Sequence, residues 1–143
     1  MLRACVCLPP LACLAMIAGC AQSDQISRDP EPYDGISASE KITLAGTEPF
    51  WSIRIDGEEA TFSSPDQPDG TPFAVSRFAG NNGLGFSGEL EGQSVQIALT
   101  PGECSDGMSD RVYPLTATIA LGESTLYGCG YTDKQPFTGD PSP

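Results

Sequence analysis

Residues 115–129 read LTATIALGESTLYGC. From Leu115 to Leu121 the odd positions are apolar and the even ones are Thr or Ala. Successive side chains on a β-strand point to opposite faces, so this alternation sends one face to a core and the other to water. Gly122-Glu123 then interrupts, and a second extended run continues to Cys129. Two such runs around a short Gly-bearing turn are a hairpin signal. A parallel strand buried on both faces would be apolar throughout, so the pattern predicts an antiparallel sheet.

The same reading extends outward. Trp51-Ser52-Ile53-Arg54-Ile55 and Val95-Gln96-Ile97-Ala98-Leu99 alternate in the same way. Asp56-Gly57 separates 50–55 from 60–63, and Glu91-Gly92 separates 84–90 from 94–99. With 41–45, 73–79, 112–121 and 124–129, about eight strands are predicted, and no segment shows a helical apolar period. The fold class is all-β. One apolar face per strand requires the sheet to curl into a small antiparallel barrel or stack as a flattened sandwich. Residues 63–70 (SSPDQPDG) read as a polar loop, and Thr100-Pro101-Gly102 as the end of a strand.

The first twenty residues, MLRACVCLPPLACLAMIAGC, carry one charge, Arg3, and no further charge until Asp24. A positive start followed by a short apolar run predicts a secretory signal peptide over 1–19 rather than a membrane span. The run closes on Ile17-Ala18-Gly19-Cys20, which resembles the bacterial lipobox and implies diacylglycerol on Cys20. The mature chain then keeps six of the seven basic residues against all nineteen acidic ones, a net charge of −13. Residues 20–39 are expected to form the lipidated cysteine and a polar, Pro-bearing tether. Residues 40–131 form the β-domain and 132–143 a loose tail. Ala21, rather than an Asp, follows Cys20, which favours the outer membrane, with the domain facing the periplasm. The implied membrane partner is reached through the lipid.

The acidic balance excludes nucleic acid as a partner, because that affinity rests on Lys and Arg at phosphates. It suits a cationic periplasmic protein, leaves room for a small ligand, and also serves plain solubility. The chain has no histidine. Ser-His-Asp and Cys-His catalysis in their usual forms are closed to it, as are His-based zinc sites. We therefore expect no enzyme, cofactor or metal. Cys104 and Cys129 are the thiols of the mature domain, and export predicts a disulfide between them. A redox pair is the alternative, but no CxxC spacing supports it. Glu103, Asp106 and Asp110 surround Cys104 without the spacing of a calcium loop, and Arg111 is placed to neutralise Asp106 or Asp110. Glu58-Glu59 and Glu89/Glu91 are paired carboxylates by type only.

Gly46–Trp51 (GTEPFW) sets two aromatics side by side at a strand start, so one is expected inside and the other partly exposed. Glu48, Phe50 and Trp51, with Asp106, Asp110, Arg111 and Tyr113, form the candidate edge of a binding site. GTEPFW together with CSDGMSDRVYPLTATIALGESTLYGC at 104–129 resembles an uncharacterised family of proteobacterial envelope lipoproteins, over roughly 42–130 of this chain. The resemblance implies location and fold rather than activity. A looser architectural similarity is to META-domain heat-shock lipoproteins and to the C-type lysozyme inhibitors. The second of these suggests an alternative role, binding a cationic enzyme, although the inhibitory loop of those proteins is not found here. The lipid assignment has a direct test. Labelled palmitate should enter the wild type and not Cys20→Ala; equal labelling of both would refute the anchor.

Overall fold

A computed structural model describes residues 31–140, and each alternating run forms a strand in it. The eight strands are β1 (Ile42–Thr47), β2 (Phe50–Asp56), β3 (Glu59–Ser64), β4 (Gln67–Ala79), β5 (Leu84–Leu90), β6 (Gln93–Ser105), β7 (Val112–Leu121) and β8 (Ser124–Thr132). Each pairs antiparallel with its chain neighbour, and β8 returns to pair with β1, Ala45 opposite Cys129 and Ile42 opposite Thr132. The sheet is thus a closed barrel rather than a sandwich. The signal peptide expected over 1–19, Cys20 and the tether to residue 30 lie outside the described residues.

Alternation decides what fills the barrel. Leu44, Ile53, Ile97, Leu115 and Ile119 face inward and are almost wholly buried. Eight strands enclose an interior about wide enough for side chains to fill. The turns follow the hairpin chemistry. Glu91 and Gly92 both have positive φ, 50° and 83°, as a type I′ turn requires, and Gly57 and Gly122 supply positive φ at the first turn position of theirs.

Two strands run further than their composition suggests. The stretch 63–70, expected as a loop, is mostly strand, turning only at Pro65-Asp66. β4 meets β5 only from Val75 onward, so Pro68 and Pro72 sit where one edge of the strand has no partner and a missing N–H costs no ladder bond. β6 likewise continues through Pro101 to Ser105, with a bulge between Pro101 and Cys104 that bends the strand.

The segments flanking the barrel are more ordered than a tether and a tail. Tyr33 N–H donates to the Gly80 carbonyl (2.7 Å) and Arg77 Nη2 to the Ile36 carbonyl (2.6 Å). Ile36, outside every strand, is 1% exposed and belongs to the core. Glu40 is buried and accepts from the Thr132 hydroxyl (2.6 Å) and the Ser37 N–H (2.9 Å). The Thr132 hydroxyl first, then that N–H, hold its carboxyl below the usual range. On the other flank, Val112 and Thr138 exchange backbone hydrogen bonds of 2.8 and 2.9 Å, and Phe137 packs on Tyr113 and Tyr131. The physical reason is the open mouth of the barrel. Its apolar layer needs a cover, and residues 33–40 supply one.

Ile36→Ala should therefore destabilise the domain by about 2–4 kcal/mol in urea unfolding, as for any large core residue cut to Ala. An unchanged midpoint would show that this segment is a passive tether.

Candidate functional site

The two stretches singled out in the sequence meet on the outer wall. After its bulge, β6 does not simply follow the barrel. Cys104 is bonded to Cys129 of β8, with Cα atoms 5.5 Å apart. One residue pair further, the Thr47 hydroxyl of β1 donates to the Asp106 carbonyl (3.2 Å). The segment Cys104–Asp106 thus crosses β8 and reaches β1. Cys129 is paired with the exposed Ala45 on the outward set of positions, yet it is buried, because this segment covers it.

Asp106 anchors the loop that follows. Its Oδ1 accepts from the N–H groups of Met108 and Ser109, both at 2.9 Å. Its Oδ2 accepts from the hydroxyls of Ser109 (2.8 Å) and Tyr113 (3.2 Å). The Met108 N–H, with the Ser109 and Tyr113 donors outweighing the opposing effect of burial, lowers this carboxyl to about 2. The expected neutralisation of Asp106 by Arg111 is thus replaced by a turn in which the aspartate accepts hydrogen bonds from its own loop. Arg111 instead lies over Phe137, its Cζ 4.4 Å from the ring centre. Tyr113 is buried against Tyr131 and Phe137, and Asp110 is exposed.

Phe50 and Trp51 divide as adjacent strand positions must. Trp51 is 4% exposed and faces inward, whereas Phe50 is 54% exposed. Room for the indole comes from two glycines. A side chain at Gly46 would collide with Trp51 Nε1, and one at Gly128 would meet Cζ2 at 2.8 Å. The indole N–H is buried without a hydrogen-bond partner. Glu48, in the turn between β1 and β2, is exposed and joined to Pro49 by a cis peptide.

Two clefts flank the Ala45–Thr47 end of β1. The first, about 370 Å³, is mostly apolar and is walled by Phe50, Trp51, Ser63 and Pro65. The second, about 230 Å³, lies between Thr47, Tyr127, the disulfide and Asp106. Tyr127, 71% exposed, forms its rim. The sequence-predicted edge is therefore split. Phe50 and Trp51 line one cleft, Asp106 lines the other, and Glu48 stands in the β1–β2 turn. Arg111 and Tyr113 belong to the aromatic cluster with Phe137. Tyr127, Gly46 and Gly128 escape a reading of single strands, because only barrel closure brings β8 beside β1. Among the described residues no His, Cys, Asp or Glu side chains gather in threes to hold a metal ion.

The depressed Asp106 carboxyl makes its own prediction. A group lowered in the folded state stabilises above its unfolded value near 4 and loses that contribution as pH falls toward 2. Asp106→Asn should be less stable than wild type at pH 7, and the gap should close between about pH 4 and pH 2. A gap constant across that window, measured by urea unfolding, would contradict this role.

No known protein family, curated protein or solved structure matches this chain.

Proposed function

We propose that the chain is a lipid-anchored envelope protein whose barrel is a non-enzymatic binding module. On this reading the ligand is met on the outer wall at the two clefts beside Ala45–Thr47. The observation that carries it is the division between inside and outside. The interior is occupied by side chains such as Leu44, Ile53 and Ile119, whereas an apolar recess of about 370 Å³ lies outside, against Phe50 and Trp51. Concave, mostly apolar sites with a few polar groups are where ligands bind.

The lipobox-like 17–20 and the resemblance to envelope lipoproteins support the anchor and the outer-membrane location. Twelve residues separate Cys20 from Tyr33, where the chain joins the barrel. Extended, they reach up to roughly 40 Å. Residues 33–40 sit at the barrel end that carries both termini, so the β1–β2 turn at the other end points away from an anchored membrane. The chemistry favours binding over catalysis, since the chain has no histidine and its most perturbed carboxyl, Asp106, is saturated by its own loop.

A photo-crosslinking amino acid at position 50, in the full chain expressed in its own envelope, should give an adduct seen as added mass on the intact protein. The same group at position 78, an exposed Phe on a different part of the wall, should not. Equal adducts at both positions, or none at 50, would refute the site. An adduct containing a lysozyme-type enzyme would favour the inhibitor-like alternative.

A further inference from the structure

One end of the barrel, the acidic end, carries carboxylates without bases, whereas the other carries both signs, with Asp34, Asp56, Glu58 and Asp133 among its bases. Odd-numbered connections return at one end: the β1–β2 turn (Glu48-Pro49), the β3–β4 turn (Pro65-Asp66), the β5–β6 turn (Glu91-Gly92) and the β7–β8 turn (Gly122-Glu123). Each carries an exposed carboxylate: Glu48, Asp66, Glu91 and Glu123. None of the five basic side chains among the described residues belongs to these turns. Lys41 pairs with Asp56 (2.8 Å), Arg77 holds the Ile36 carbonyl, and Lys134 donates to Ser37 (3.4 Å), all at the end that carries the termini. Arg54 stands opposite Thr43 near that same end, and Arg111 is stacked on Phe137.

The first cleft, lined by Thr47, Phe50 and Pro65, adjoins two of these turns, and each cleft has an aromatic ring on its rim. Thr47 lies between the rims: it pairs with Phe50 on one side and shares the second cleft with Tyr127 on the other. Two large rings exposed at 54% and 71% on one strip of wall carry a hydrophobic cost unless something covers them. Aromatic faces with carboxylates nearby attract guanidinium and ammonium groups, and the recess between them takes an aliphatic side chain.

We propose that this strip, Phe50–Thr47–Tyr127, docks a basic polypeptide segment: arginine or lysine over the two rings and an apolar side chain in the cleft beside Trp51. The carboxylates of the acidic end supply the long-range attraction, and the absence of a basic group on these turns leaves that attraction unopposed. The inference rests on the binding-module reading and names the partner chemistry of the same site.

Trp51 is the single tryptophan of the chain and lines the cleft, so its fluorescence reports occupancy. The probe is a short arginine–glycine peptide carrying one leucine, titrated into the full chain in neutral detergent. A glutamate version of the peptide is the control. The arginine peptide should bind and the glutamate peptide should not. Phe50→Ala and Tyr127→Ala should each weaken binding by about fivefold or more, the scale of a cation–π contact. Tyr127→Phe, which keeps the ring, and Phe78→Ala, on another part of the wall, should bind as wild type. Equal binding of both peptides would overturn the proposal. So would wild-type affinity in both Ala variants, which would mean that a diffuse acidic field attracts cations without a site. Loss of binding in Tyr127→Phe would also count against it, because both variants keep a folded core. If cross-linking at position 50 succeeds while the arginine peptide fails to bind, the binding module stands and its cationic partner does not.

Discussion

Everything in this fold depends on the seam between β1 and β8. Seven of the eight strand contacts join neighbours in the chain, which a short turn brings together almost automatically. The eighth joins the first strand to the last, and without it two strands would expose unpaired edges. The molecule clasps that seam from outside. Cys104 is bonded to β8 through Cys129, and the next turn of the same segment meets β1 through the Thr47 hydroxyl and the Asp106 carbonyl. Below the seam, Glu40 just before β1 accepts from Thr132 at the end of β8. Lys41 N–H likewise donates to Asp133 (3.0 Å). A covalent bond on one side and a buried carboxylate on the other thus close a contact that carries the largest loop-closure entropy in the barrel.

This explains why CSDGMSDR is chemically dense. Its cysteine is committed to the seam. Its first aspartate spends every accepting direction on Met108, Ser109 and Tyr113, which fixes the turn that presents its own carbonyl to Thr47. Tyr113 then joins the stack with Tyr131 and Phe137 that pins the final segment against β7. Arg111 covers the outer side of the same stack. The residues look like a site because a strap that crosses two strands needs polar groups to satisfy its own exposed backbone.

What was legible in the sequence follows from what is local. Period-two alternation marks β2, β6 and β7, and Gly57, Gly92 and Gly122 mark turns, because each depends only on neighbouring residues. The expected export and the absence of other cysteines after Cys20 made the Cys104–Cys129 pair readable. Strand extent was not legible at 63–70 or 100–105, where Pro and Gly read as loop. A proline is harmless on a strand whose other edge is free, and which edges are free is a property of the whole barrel. Ile36 was hidden for a similar reason. A lone isoleucine in a polar stretch carries no periodicity, and its burial depends on the open mouth it covers. The placement of Tyr127 beside Thr47 is likewise nonlocal, so the second aromatic rim could not be read from β8 alone.

The same closure that hides these contacts also constrains where function can sit. Filling the interior removes the usual ligand chamber of an eight-stranded barrel, so any recognition moves to the wall. On the wall, the strap and Trp51 stiffen one sector. Gly46 and Gly128 leave room for the indole beside β1, and the disulfide ties β8 to the Cys104–Asp106 strap. The second cleft therefore lies beside the disulfide and the Thr47–Asp106 hydrogen bond that fasten the seam. A rigid recess would lose little entropy on being occupied, unlike the same rings on a mobile loop. Trp51 Nε1, buried beneath that recess without a partner, fits the same account: packing the ring against two glycine backbones fixes the floor of the cleft, and the unpaired donor is the cost of doing so.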